Sequence, residues 1–199
     1  MNPLNGQWFY RGFHKKLAES LGRDAADRIW DDAGKEYGRV LTAQPELKRH
    51  KGAMVLPAVA LYRALAARGE DAEGLLNAYG RDAGKRFARI IHTLTSLPGA
   101  DRFVWCHVGS VMEKASSEKL GYRRRLVSEP PGMYGVDILS CPYHELAKQL
   151  GSEKAVLCIC CMDKEYSQGF RHIRYDRRSA VSEGARAYEY RLRFDPEKA

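Results

Sequence analysis

The chain has 199 residues, 44% of them hydrophobic and 29% charged, which is the make-up of a globular protein with a core and excludes disordered or fibrous material. Lys and Arg outnumber Asp and Glu by 33 to 25, and the net charge of +8 fits an anionic ligand, a nucleic acid or a solvated basic surface. No apolar run approaches the roughly 18 residues that suggest a membrane span, and no signal-peptide order opens the chain, so a cytoplasmic location is expected.

The first half reads as helical. Pro3 and Gly6 mark a lead-in, after which Trp8, Phe9, Phe13, Leu17 and Leu21 recur at three- and four-residue spacing. A second helix is predicted after Gly22, with Asp24 as N-cap, Ile29, Trp30, Ala33, Tyr37 and Leu41 facing inward, and Pro45 as its stop. Pro57 suits the first turn of a third helix that Gly69 closes. Leu75, Leu76, Tyr79, Phe87, Ile90, Ile91 and Leu94 define a fourth, interrupted by Gly80 and Gly84 and stopped by Pro98. The aromatics Trp8, Trp30, Tyr37 and Tyr62 suit a ligand pocket, but stripes at this spacing are mostly core.

Past Gly99 the texture changes. Residues 102–120 fit a helix ending at Gly121, although Phe103, Val104 and Trp105 are also strand-like. Tyr122 to Val127 reads as a basic strand, Pro130-Pro131-Gly132 as a turn and Met133 to Leu139 as a second strand. Pro142 suits the first position of a helix capped by Cys141 and ended by Gly151. The apolar run from Ala155 to Met162 is too short for its pattern to separate helix from buried strand. His172 to Val181 and Ala187 to Phe194 are strands joined by a Ser182-Glu183-Gly184 turn, the second alternating Tyr188, Tyr190, Leu192 and Phe194 with Glu189, Arg191 and Arg193. Helices followed by strands predict an α+β fold, N-terminal helices packed on a C-terminal antiparallel sheet. Residues 1–199 read as one domain, with 1–98 as a helical half and 99–199 as a mixed half carrying the site.

Four of the five cysteines, Cys141, Cys158, Cys160 and Cys161, fall between Asp137 and Asp163. An odd number of cysteines argues against a disulfide framework, and although Cys158 and Cys161 stand three apart and could share a helical face, nothing marks a resolving partner or a strong zinc signal. At a helix N-terminus Cys141 meets the positive end of the helix dipole, which favours the thiolate, and it is a candidate nucleophile. Asp163 and His144 are the candidate acid and base. The plainer readings are a buried Cys141, an Asp163 that caps a helix starting at Lys164, and a solvated His144. Cys141, Cys160 and Asp163 with His107 or His144 are also zinc-ligand types, but their spacing gives a metal little support and no cofactor is expected. Arginines cluster on the presumed sheet, from Arg123, Arg124 and Arg125 through Arg171, Arg174, Arg177 and Arg178 to Arg186, Arg191 and Arg193. An inward one suits a substrate carboxylate. The same arginines with Tyr175, Tyr188 and Tyr190 could read a phosphate backbone, but no nucleic-acid motif is present and that partner is not expected.

The strand Asp137 to Leu139 leading into Cys141-Pro-Tyr-His-Glu-Leu, Leu150-Gly151 beyond it, the Cys160-x-x-Asp163 step, and Arg177 before the final turn and strand together resemble the L-2-amino-thiazoline-4-carboxylic acid hydrolase family. The resemblance covers residues 100–195 by motif and the helical half by general character. It implies a hydrolase that opens a C–N or C=N bond in a small, carboxylate-bearing thiazoline- or amidine-like ring. By this resemblance Cys160 joins Cys141, Asp163 and His144 as catalytic, and Arg177, Tyr143, Tyr188 and His107 contact the substrate. The family's closing Gly-x-x-x-Cys-Asp-Phe is altered here, with Tyr188 standing where the cysteine would be. The pattern of helices, sheet and cysteine-bearing end also resembles vinyl-reductase-type ligand-binding domains, which would make the chain a small-molecule sensor. A homodimer is the default assembly.

Overall fold

The run of residues around Pro57 gives the first departure from the sequence rules. In the structure, a computed structural model that describes residues 2–43, 51–177, 179 and 184–198, Pro57 lies inside a helix rather than at its start. The helices are α1 (Phe13–Leu21), α2 (Arg23–Ala43), α3 (Lys51–Ala66), α4 (Ala72–Thr95), α5 (Ala100–Ala115), α6 (Pro142–Gln149) and α7 (Leu157–Tyr166). The strands are β1 (Arg123–Val127), β2 (Met133–Ser140), β3 (Ile173–Arg177) and β4 (Tyr188–Phe194). The fold is α+β, with its four-stranded antiparallel sheet in the C-terminal part, ordered β1-β2-β4-β3.

Proline costs a helix one backbone bond, yet α3 continues through Pro57 because Val55, Leu56, Ala58, Val59, Ala60, Leu61 and Leu65 around it are all buried, and their burial offsets that loss. Asp24 is in the first turn of α2 rather than at its cap, since the helix opens at Arg23. Helix α5 ends at Ala115 and a separate 3-10 turn, Glu118–Leu120, precedes Gly121. Gly69 and Gly151 stop α3 and α6 at φ of 74° and 65°. Ala155 to Met162 is helical, so Asp163 sits within α7 and does not cap a helix starting at Lys164. The predicted stop at Pro45, and Arg178, Val181, Ser182 and Glu183, lie outside the described residues.

The chain forms two compact units. The first comprises residues 1–80 and 143–159, the second 81–142 and 160–199. In the first, Phe9, Phe13 and Tyr79 make an edge-packed aromatic group, and Trp30 and Tyr37 are buried as core, whereas Trp8 is exposed. Tyr10 donates its hydroxyl to the Met54 carbonyl at 2.9 Å. Gly80 of α4 packs directly on the Cys158 carbonyl, where a Cβ would collide.

In the second unit Gly84 and Gly169 play the same part. A Cβ on Gly84 would stand 2.5 Å from the Met162 carbonyl oxygen, and one on Gly169 would meet the Ala88 backbone. The two predicted interruptions of α4 are therefore close-approach points. Sheet register sets the faces. Tyr188 pairs with Ile138, Tyr190 with Val136 and Arg177, and Leu192 with Tyr175, so these side chains share one face by strand periodicity. Val104, Trp105, Val108 and Met112 of α5, and Cys160 of α7, pack against it. Asp137 and Arg191 alternate to the opposite face, where both are buried.

Candidate active site

Helix α7 and strand β4 build the centre of the site. Cys160, Asp163 and Tyr166 follow one another at three-residue spacing and so project from one side of α7. Two-residue spacing puts Tyr188 and Tyr190 on the sheet face that meets it. Tyr190 donates its hydroxyl to Asp163 Oδ2 at 2.6 Å, and Tyr188 donates to the same oxygen at 3.3 Å. The two rings stack with centroids 4.5 Å apart and planes inclined by 21°. Arg177 Nη1 donates to Tyr188 Oη at 2.6 Å, and its guanidinium carbon is 4.9 Å from that ring's centroid. The chain Arg177–Tyr188–Asp163 thus joins a cation to a carboxylate through a phenol.

The phenols are held in their protonated form. Burial first, then the charge of Asp163, pushes Tyr190, Tyr188 and Tyr175 above the usual tyrosine range. For Tyr166 the charge of Asp163 is the larger cause and burial the second. Asp163 Oδ2 thus accepts from two protonated phenols, Tyr188 and Tyr190.

A cavity of about 430 Å³ opens on this group. Asp163, Tyr166, Tyr175 and Tyr190 line one side, and Val104, Val108, Val111 and Met112 of α5 line another, with Phe103 and His107. His107 Nδ1 is 2.8 Å from the Phe103 carbonyl oxygen. That oxygen can only accept, so Nδ1 carries the hydrogen.

Of the residues singled out from sequence, Asp163 and His107 line the cavity. Tyr188 bonds Asp163, Arg177 reaches it through Tyr188, and Cys160 packs against the cluster of Val136, Ile138 and Tyr188. Cys141, half-buried after β2, and Cys160, also half-buried, are both absent from the cavity lining. His144 and Tyr143 belong to the first unit, where His144 Nδ1 is buried without a hydrogen-bond partner among the described residues. Tyr190, Tyr166 and Tyr175 are the site residues that sequence reasoning did not assign to it; the period-two alternation of β4 was the signal for Tyr190. Among the described residues no three His, Cys, Asp or Glu gather closely enough to hold a metal ion, and no helix is long and apolar enough to cross a membrane.

A family model described as L-2-amino-thiazoline-4-carboxylic acid hydrolase matches residues 48–191. The chain belongs to the L-2-amino-thiazoline-4-carboxylic acid hydrolase family. No curated protein and no solved structure matches it. The family match takes in more of the helical half than the motifs alone, beginning ahead of α3, and it includes Cys160, Asp163, Tyr166, Arg177, Tyr188 and Tyr190. The cage around Asp163 therefore lies within the hydrolase-family region.

Proposed function

We propose that this family member is a hydrolase that opens a C–N or C=N bond of a small ring, with Asp163 as acid and base. One observation carries the reading. A carboxylate lines an otherwise mainly apolar cavity, and tyrosine hydroxyls at 2.6 and 3.3 Å hold it in place. A fixed acceptor in a water-poor wall is suited to moving a proton at a bound substrate.

In this reading a cysteine is the nucleophile, and Cys160 is favoured over Cys141. Cys160 stands one helical turn before Asp163 and packs on Tyr188. Its sulfur adds to the electron-poor ring carbon while its proton passes to Asp163. Asp163 returns that proton to the ring heteroatom as its bond to carbon breaks. Water then adds to the sulfur-bound carbon, again giving a proton to Asp163, and the thiol leaves with that proton. One water is consumed and the cysteine is restored.

The test is turnover of a panel of thiazolines, cyclic amidines and N-carbamoyl amino acids, read by mass spectrometry, with circular dichroism to check folding. Ring opening that is lost in Asp163→Asn and Cys160→Ala but retained in Cys141→Ala supports the reading; full activity in Asp163→Asn rejects it. The apolar majority of the cavity wall favours a second reading, a non-catalytic small-molecule sensor of the vinyl-reductase-like type. In that case a ligand copurifies or binds and leaves chemically unchanged.

A further inference from the structure

Helices α4 and α5 meet at a corner whose outward charge has one sign. Between residues 83 and 112 Asp101 is the sole acid, against Lys85, Arg86, Arg89 and Arg102. The four cations are exposed. Asp101 is not: its side chain is 13% exposed and its Oδ2 lies 2.7 Å from His172 Nδ1. Arg171, whose backbone N–H donates to Thr95 Oγ1 at the end of α4, brings a further cation alongside. Asp82 and Glu165 share an open groove with Lys85, Arg86 and Arg89, which leaves that side of the corner net positive.

The same corner is apolar. Of the eight large hydrophobic side chains exposed among the described residues, five fall here: Ile90, Leu94, Leu97, Phe103 and Val111. They form a patch rather than the single scattered residues of an ordinary surface. Ile90 and Leu94 share one face of α4 at four-residue spacing, on the side away from Gly84 and Ala88, which pack on Met162 and Gly169. Leu97 stands in the turn beyond, and Phe103, in the first turn of α5, is 67% exposed. All of these residues belong to the second compact unit.

Exposed apolar side chains bordered by unopposed cations fit an anionic lipid surface. A second copy of the chain is the poorer occupant, because a two-fold contact through this corner sets the same arginines against one another. A partner protein would have to supply a matching groove, since Ile90, Leu94 and Leu97 line neither the cavity nor the groove beside α4. A bilayer surface needs no matching shape: apolar side chains enter the acyl boundary, and arginines at their border meet the headgroup phosphates. We infer that the α4–α5 corner docks on anionic phospholipid, with Ile90, Leu94, Leu97 and Phe103 in the acyl boundary and Arg86, Arg89 and Arg102 among the headgroups. The inference goes beyond the hydrolase reading and does not depend on it.

Vesicle flotation of the full chain tests it, with circular dichroism to check folding. Vesicles of phosphatidylcholine mixed equally with phosphatidylglycerol should carry the protein up the gradient, and vesicles of phosphatidylcholine alone should carry at least about tenfold less. Raising salt from about 0.05 M to about 0.5 M should weaken the binding. Arg86→Gln, Arg89→Gln and Arg102→Gln together should lower partitioning about a hundredfold. Removing the same number of exposed cations from the first unit, by Arg11→Gln, Arg23→Gln and Arg28→Gln, should leave most of it. Leu94→Gln with Leu97→Gln should lower it at least about tenfold with the charge intact. The charged and apolar sets are read separately, so either one decides the matter if the other fails to fold. A folded wild-type chain that ignores anionic vesicles overturns the inference, whether it stays monomeric, self-associates in sedimentation or binds poly-L-glutamate instead. Equal binding to both vesicle types overturns it too, as does a loss in the Arg11, Arg23 and Arg28 variant as large as that at the corner.

Discussion

Tyr190 and Asp163 are 27 residues apart in sequence and joined by a 2.6 Å hydrogen bond. The bond ties the last strand to α7, and it is the shorter of the two phenol contacts to Oδ2. A hydrogen bond to a charged group contributes about 1.5–3 kcal/mol. Tyr190→Phe keeps the ring stack on Tyr188 and removes only the hydroxyl, so it should lower unfolding stability by about that amount in a urea titration at neutral pH. Tyr188→Phe loses both the 3.3 Å bond to Asp163 and the 2.6 Å bond from Arg177, so it should cost at least as much. A Tyr190→Phe protein as stable as the wild type would show that the contact does not anchor the site.

The alkaline limb follows from the phenols. Tyr166, Tyr175, Tyr188 and Tyr190 all have folded values above the ordinary 10.0. Below that value folded and unfolded hydroxyls are both protonated. Above it the unfolded chain releases protons that the folded chain retains, so stability is lost as pH rises. The urea midpoint should fall between about pH 9 and about pH 11, and near-ultraviolet absorbance should show these four tyrosines ionising only with unfolding. Smooth ionisation of every tyrosine near the ordinary value, with the fold intact, would contradict the buried cage.

Much of this architecture was legible from residue spacing. The alternation Tyr188, Tyr190, Leu192 announced β4 and its inward face, and Pro130-Pro131-Gly132 announced the turn before β2, where Gly132 has φ 81°. The cage was not legible, for two reasons. Ala155 to Met162 is apolar without a marked helical period, so nothing local said that Cys160, Asp163 and Tyr166 share a helix face. The register of β3 on β4, which sets Arg177 opposite Tyr190, is a long-range pairing that no local pattern encodes. Pro57 misled in the other direction, because a rule about solvent-facing helix starts gave way to burial on all sides of α3.

Close helix packing gives a prediction with opposite signs at two glycines. Gly84 faces the Met162 carbonyl, at 2.5 Å from an added Cβ, whereas Gly38 of α2 has open space around it. Gly84→Ala forces α4 and α7 apart and should cost about 1–3 kcal/mol, the usual penalty of overpacking. Gly38→Ala should gain about 0.5–1 kcal/mol, because alanine loses less backbone freedom in a helix. Thermal melts of the two variants check both. Equal shifts of the same sign would mean that the contact at Gly84 is not tight.

On the sheet face opposite the cage, Asp137 is 2% exposed and accepts Arg125 Nη2 at 2.7 Å and Arg191 Nη2 at 2.9 Å. Glu129 Oε1 is 2.7 Å from Arg191 Nε, close enough to pair but without a hydrogen bond's alignment. Burial is the largest single influence on the Asp137 carboxyl and raises it, yet the bonds and charges of Arg125 and Arg191 together outweigh burial and hold it below the ordinary 3.8. Its contribution to stability is therefore complete above the unfolded value and lost as pH falls through the folded one. Asp137→Ala leaves the buried Arg191 short of an anion and should cost about 3–5 kcal/mol at neutral pH. Arg125 has a side chain 68% exposed, so Arg125→Ala leaves only a solvated gap and should cost less than about 1 kcal/mol. Urea titrations at neutral pH and again near pH 3 provide the check, because acid removes the charge that the Asp137→Ala variant already lacks and the gap to wild type must narrow. A gap that stays constant, or equal costs for the two variants, would show that the buried pair does not hold the sheet together in this way.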